Sequence, residues 1–272
     1  MLVRQYVDEE VVAFKMGRGF AGVFLFPVYA YLVGDSLVDS GPTLAGRRLV
    51  AALRGFPVSR VLNTHPHEDH FGNNALLVEK FGCVAFAHER ALPVMLDPSK
   101  LELRSYQRFA WGTPPASPPE ATKPLPPRVT AGDWEFEVLE TPGHDPGHAC
   151  FFEGSRGWLF SGDLHVGKTS LEFQPRDDFH EILASLKLLE RKDPDVAFCS
   201  HQGRIDDARE ALRRKMEAME AVRDEILELS GAGLDERKVA RRALGRESPL
   251  AWITRGHLSK LNVVRSALRR RS

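Results

Sequence analysis

The order of apolar runs in this chain of 272 residues predicts an α/β fold, a strand-rich body followed by a helical tail. Three observations carry that reading. Extended, alternating runs dominate the start of the chain. Strand-like and helix-like segments then take turns, with Gly-bearing turns between them. From about residue 208 onward only the helical period persists. Alternation of this kind packs helices outside sheets, whereas the tail has only helix faces to bury.

Taken in order, residues 31–41 read as a hairpin, Tyr31-Leu32-Val33 turning at Gly34-Asp35 into Ser36-Leu37-Val38. Residues 41–56 carry helical periodicity, 58–62 a strand, 74–81 a helix and 84–87 a strand. Trp134-Glu135-Phe136-Glu137-Val138 alternates apolar and polar residues, as a half-buried strand does. Residues 149–152 and 158–160 form a hairpin across Gly154-Ser155-Arg156-Gly157, and 179–189 an amphipathic helix. Between residues 93 and 127 lie nine of the eighteen prolines, with Tyr106, Phe109 and Trp111, an excursion stiff enough to be a lid or substrate wall. The tail predicts a long helix over 209–229, ended by Ser230-Gly231-Ala232-Gly233, then shorter helices over 236–244 and 257–268. The domain division expected is a body of residues 1–207 and a helical extension of residues 208–272.

The chemistry concentrates in Thr64-His65-Pro66-His67-Glu68-Asp69-His70, directly after the strand-like run 58–62. Three of only ten histidines and an aspartate fall within one turn of chain. Imidazole nitrogens and a carboxylate suit zinc, iron or manganese. Three further apolar runs end in a turn bearing His or Asp. These are Thr141-Pro142-Gly143-His144-Asp145-Pro146-Gly147-His148, Ser161-Gly162-Asp163-Leu164-His165 and Cys199-Ser200-His201-Gln202-Gly203.

The ordered set Asp39, His65-x-His67-x-Asp69-His70, His144, Asp163 and His201 resembles the metallo-beta-lactamase superfamily, all five of whose motifs stand in order over about residues 20–205. The resemblance implies an αββα sandwich with metals at its loop-bearing edge, two divalent ions, and hydrolysis. It implies that His65, His67 and His144 hold one ion, that Asp69, His70 and His201 hold the other, and that Asp163 bridges them. Asp69 would also hold the attacking hydroxide. The residues themselves agree with that division. Two-metal hydrolysis needs ions about 3.5–4 Å apart, clamping a shared water that is activated near neutral pH. Zinc is expected first, with iron or manganese as the other ions such ligands accept.

Asp39 reads as the carboxylate that takes the outer N–H of a metal-bound imidazole, or else as a turn residue before Gly41. His148 either supports the ligands or faces a helix. His165 either faces the pocket as a catalytic acid that protonates the leaving group, or faces solvent. Cys83, Cys150 and Cys199 sit in apolar runs and read as buried structural thiols. No Gly-x-Ser-x-Gly elbow competes with the metal reading.

A hydrophobic content of 43% fits a globular protein with a sizeable core. Three cysteines without metal spacing, no signal-peptide pattern in the first residues, and an apolar stretch at 20–33 broken by Pro27 predict a soluble cytoplasmic protein with no membrane association. The zero net charge conceals an asymmetry. Residues 234–272 hold eleven Lys/Arg and three Asp/Glu, so a tail of +8 balances a body of −8. Such a tail either holds RNA, packs on the body or forms a homodimer contact.

Fold alone does not choose a substrate. Hydrolysis of an ester, thioester or lactone by a metal-bridging hydroxide, on a small-molecule acyl substrate, is the first expectation. The compact motifs resemble the glyoxalase II branch, although its basic, Asn-containing C-terminal glutathione signature is absent. The alternative is a metal-dependent endoribonuclease or phosphodiesterase, resembling lactamase-like endoribonucleases with a winged-helix-like helical tail. Against it, Trp252 is the only large aromatic in that tail. A di-iron redox role lacks a flavin-binding partner domain, and antibiotic hydrolysis lacks the expected signal peptide.

Overall fold

The structure, a computed structural model, describes residues 1–269 except Glu9, Ala21, Gly22, His165 and Ser170. Two sheets lie face to face. The first runs β1 (Leu2–Asp8), β2 (Val11–Phe20), β3 (Val23–Val33), β4 (Ser36–Val38), β5 (Arg60–Leu62), β6 (Val84–Ala87) and β7 (Thr122–Pro124), neighbours in that order. It is antiparallel from β1 to β4 and parallel from β4 to β7. The second joins β8 (Arg128–Ala131), β9 (Trp134–Glu140), β10 (Ala149–Glu153), β11 (Trp158–Gly162), β12 (Val196–Cys199) and β13 (Gly203–Asp206). Only its β11–β12 pair is parallel.

Alternation in the strands fills three apolar layers. One face of β2 and β3, through Phe14, Met16 and Val28, packs with Leu37 under α1 (Gly46–Ala52) and α2 (Asn74–Phe81), which contribute Leu49 and Leu77. The residues between belong to the middle layer, where Tyr31, Val33 and Leu62 meet Phe136, Phe151, Phe160 and Phe198 of the second sheet. The Tyr31 ring stands 5.4 Å from Phe198 and 5.7 Å from Phe160, and its hydroxyl donates to the Cys199 carbonyl at 2.7 Å. A buried phenol needs such a partner, and this one pins the two sheets in register.

The excursion at 93–127 is largely ordered into elements. It overlaps α3 (Leu92–Leu96) and contains α4 (Ser105–Ala110), then adds β7 as the edge strand parallel to β6. An edge tolerates Pro124, which has no N–H to give. The outer layer of the second sheet is α5 (Phe179–Glu190) with α6 (Ala208–Gly231), α7 (Glu236–Ala243) and α9 (Lys260–Leu268). Leu212, Met216, Met219 and Ile226 of α6, Val239 of α7 and Val263 of α9 share one apolar cluster with Leu183 and Leu186 of α5. The αββα sandwich with C-terminal helices is therefore present.

Local chemistry accounts for the differences from the sequence expectations. The helix expected over 41–56 starts only at Gly46, because Gly41 takes a left-handed φ of +70° and a 3-10 turn at Thr43–Ala45 intervenes. The last helix starts at Lys260, where the Ser259 hydroxyl caps the Asn262 N–H at 3.2 Å. Ahead of it lies an unanticipated helix, α8 (Pro249–Ile253), too short for periodicity to reveal. All three cysteines are buried and unpaired, as expected. No helix among the described residues is long and apolar enough to cross a membrane.

Candidate metal centre

The donors stand at one edge of the sandwich, each on the loop that leaves a strand. His65, His67, Asp69 and His70 follow β5, His144 lies between β9 and β10, Asp163 follows β11, and His201 follows β12. Backbone bonds lace these loops together. Ala149 N–H donates to the Thr64 carbonyl at 2.8 Å, Tyr29 N–H to Ser200 at 2.7 Å, and Ser40 N–H to His70 at 2.6 Å. Motifs more than a hundred residues apart are thereby held as one rigid rim.

The rim gathers all seven donors into two groups. Ligand atoms of His65, His67, His144 and Asp163 lie within 4.8 Å of one another, and so do those of Asp69, His70 and His201. In the first group His67 Nδ1 faces both His65 Nε2 and His144 Nε2 at 3.1 Å. Asp163 reaches both groups. Its Oδ2 is 3.5 Å from His144 Nε2 and 3.2 Å from His201 Nε2, and its Oδ1 is 3.5 Å from His70 Nε2. Asp69 Oδ2 stands 3.4 Å from His201 Nε2.

The outward nitrogens are tied to acceptors, which fixes the tautomers. His70 Nδ1 donates to Asp39 Oδ2 at 2.8 Å and His201 Nδ1 to the Pro27 carbonyl at 2.7 Å. His65 Nδ1 is 2.9 Å from Thr64 Oγ1, whose own proton goes to Asp39. His144 Nδ1 is 3.2 Å from Asp177 Oδ1. Each ring so anchored turns its other nitrogen toward the shared space, where a bound ion would take it as a lone pair.

That space fits cations. Buried His70 Nε2 and Asp163 Oδ1 have no hydrogen-bond partner, a state that costs about 1–3 kcal/mol per group when left unsatisfied. Ring nitrogens of three imidazoles converge at 3.1 Å on one point, an approach that a shared cation would use. Donor sets of His and Asp with this geometry imply divalent metal ions.

Charge is unevenly spread over the two groups. Burial holds His65 and His67 well below the ordinary imidazole range, and neighbouring imidazoles add to it. For His70 burial acts in the same sense, but Asp163, Asp69 and Asp39 outweigh it and hold the ring well above. His144 is likewise opposed by burial and lifted by Asp177, to about 9. Burial opposes ionisation of Asp163, yet His201 and His70 hold it well below the usual carboxylate range. Burial and Asp69 push Glu68 up to about 8, and Gln107 Nε2 donates to it at 2.8 Å.

Asp39 stands beneath His70 and also turns the chain before Gly41, at φ +59°. His148 resolves as a support. Burial presses it down to about 3, so the ring is neutral, its Nδ1 set 2.8 Å from Thr141 Oγ1 and its Nε2 accepting the Asp163 N–H at 3.2 Å. Gly162 completes this clamp, since a Cβ there would meet His148 Nε2 at 2.4 Å. His165 lies outside the described residues. One contributor carries no local signal in the sequence, Asp177 behind His144, while Trp111 of the Pro-rich excursion brings its ring 6.5 Å from His201.

Residues 23–201, two thirds of the chain, match the family described as the metallo-beta-lactamase superfamily. The chain belongs to that superfamily. A hydroxyacylglutathione hydrolase of Bdellovibrio bacteriovorus is 27% identical over 165 residues, 60% of this chain and 55% of that protein. This superfamily member thus spans little more than half the length of that relative. The structure of TTHA1623 in a di-iron-bound form is 29% identical, with a TM-score of 0.57 over 70% of this chain and 94% of that one. A metallo-beta-lactamase family protein of Thermus thermophilus shares the fold over 94% of this chain and 91% of its own, at 21% identity and a TM-score of 0.65.

Proposed function

We propose that this protein is a hydrolase of ester, thioester or lactone bonds that works with two divalent metal ions, zinc first among them. The observation that carries the reading is the pair of donor groups sharing Asp163. His65, His67 and His144 would hold one ion, Asp69, His70 and His201 the other, and Asp163 would span both. When bound, such ions make hydroxide available from water near neutral pH and polarise the scissile carbonyl as Lewis acids.

The chain's own residues do the rest. Asp39, Pro27 and Asp177 hold His70, His201 and His144 in the ligating tautomer. His148 fixes the backbone of Asp163, and with it the carboxylate. Asp69, beside His201, would orient the attacking oxygen and take up its proton. Trp111 walls the His201 side and keeps bulk water off the reacting carbonyl. Water adds its oxygen to the acyl carbon, the acyl–sulfur or acyl–oxygen bond breaks, and the leaving group departs with a proton.

A carbon centre is favoured because a relative at 27% identity is named as a hydrolase of an acyl glutathione. An intracellular setting suits three buried thiols that form no disulfide. The test is turnover by metal-loaded protein on two panels, one of thioesters, esters and lactones, the other of a phosphodiester reporter and single-stranded RNA. A His67→Ala protein controls for contaminants. Activity confined to the first panel is the expected result; activity confined to the second overturns the carbon-centred reading.

A further inference from the structure

Beside the metal centre lies a cavity of about 790 Å³, formed where the excursion carrying α4 meets the turn before α5 and the C-terminal helices. Arg104, Arg255, Arg265 and Arg269 all line it, and among the described residues no carboxylate does. Arg265 is paired with Glu236 at 2.9 Å, and Arg269 donates to the carbonyls of Pro175 and Asp177 at 3.0 and 3.1 Å. Arg104 and Arg255 are exposed and have no side-chain partner among the described residues. Two of the four guanidiniums are thus engaged, and those of Arg104 and Arg255 are the pair left for an anion.

Two contacts link this cavity to the metal centre. Tyr106 lines it, with its hydroxyl 2.8 Å from His257 Nδ1, and packs at 6.3 Å on Trp111, the ring that stands over His201. On the other side Arg269 grips the backbone of Asp177, whose carboxylate backs His144. Arg255 adds a second sign. It holds a left-handed φ of +52° just past α8, a position glycine takes without strain, while the true glycine, Gly256, comes one residue later. A strained arginine kept where glycine fits better points to use of its side chain.

Resting on the hydrolase reading above, we propose that this cavity binds a phosphate group carried by the leaving group of the substrate, so that the protein cleaves acyl esters or thioesters of a phosphorylated alcohol or thiol. Arginine forks match phosphate oxygens two at a time, and two unpaired arginines suit a dianion better than a single carboxylate. The volume is that of a small-molecule site. The cavity offers no row of free aromatic faces for a nucleic-acid strand, because Tyr106 and His257 are engaged with each other. Hydrolysis at the metals then releases a carboxylic acid and a phosphorylated thiol or alcohol, with water as the only co-reactant.

The test compares S-acetylpantetheine with S-acetyl-4′-phosphopantetheine, which differ by one phosphate, on metal-loaded wild type and an Arg104→Ala/Arg255→Ala double variant. Wild type should favour the phosphorylated thioester by roughly ten- to a hundredfold in kcat/KM, mostly through KM. The double variant should lose that preference and keep its rate on S-acetylpantetheine. Equal use of both thioesters by wild type, or a preference that survives in the variant, overturns the proposal. Titration calorimetry with the two free thiols separates the cavity from the reaction. If the hydrolase reading fails on its own panel and neither thioester is turned over, tighter binding of 4′-phosphopantetheine by wild type alone still supports the phosphate site. Equal binding overturns it. Tighter binding of a single-stranded RNA hexamer than of 4′-phosphopantetheine, lost in the same variant, overturns the small-molecule assignment.

Discussion

Linked through Tyr106 and Arg269, two neighbouring spaces are built in opposite ways. On one side His65, His70 and His144 are buried, and their outer nitrogens are fixed by Thr64, Asp39 and Asp177. On the other side Arg104 and Arg255 are exposed and have no side-chain partner among the described residues, on long side chains with many rotamers. A reaction centre gains from donors that do not move as charge develops, because reorganisation then costs nothing. A recognition site tolerates looser groups, since an ordered anion does the final arranging. The chemistry is accordingly set by the rim of the sandwich, and the choice of substrate by the excursion and tail that meet beside it.

The largest effect should come from breaking the bridge between the two donor groups. Asp163→Ala removes the one carboxylate that touches both, so metal content per chain and turnover should fall together, turnover by roughly a thousandfold or more. Retention of two ions by this variant would show that the groups bind independently. Asp39→Ala leaves all seven donors in place and frees His70 Nδ1, so it should weaken metal binding by about 10–100-fold in a chelator competition. An unchanged affinity would mean that packing alone holds the ring.

Metal binding should also be tied to protons, and the sign can be worked out. Without metal, His144 is protonated below about 9, and His70 is held protonated by its carboxylates. At pH 7 an ion must displace those protons, so affinity should rise with pH, by up to about tenfold per unit for each proton released. The binding heat should therefore change with the ionisation enthalpy of the buffer. Heats identical in phosphate and Tris would show rings already neutral at pH 7.

The same contrast decides what could be read from the chain alone. His65-x-His67-x-Asp69-His70 is legible because four donors share one loop, and His144, Asp163 and His201 because each ends an apolar strand at a turn. The strand at 134–138 announced itself by alternation, and that at 84–87 as a short apolar run after the helix Asn74–Phe81. Asp177 was not legible, since it lies 33 residues beyond His144 on a loop with no motif and matters only through tertiary contact. His148 was legible as a residue but not as a role, because its partner is a backbone N–H. The four arginines of the cavity come from three separate segments, so the basic tail was visible while the pocket it closes was not.

Gly162 and Arg255 invert each other in backbone terms, and together they test the comparison at the level of stability. Gly162 has φ +50° and no room for a Cβ against His148 Nε2, so Gly162→Ala should destabilise the fold by about 1–3 kcal/mol and displace Asp163. A melting temperature unchanged by that methyl group would mean the rim is softer than its hydrogen bonds indicate.

Arg255→Gly should do the reverse on a smaller scale. Glycine relieves about 1 kcal/mol or more of left-handed strain and gives back about 0.4–1 kcal/mol through the looser unfolded chain. The net gain of about 0.5 kcal/mol corresponds to a rise of about 1–2 °C in melting temperature. If Arg255 is kept for its charge, that gain should come with a weaker grip on phosphate. A variant that is less stable than wild type would show instead that the arginine holds the turn after α8 in place.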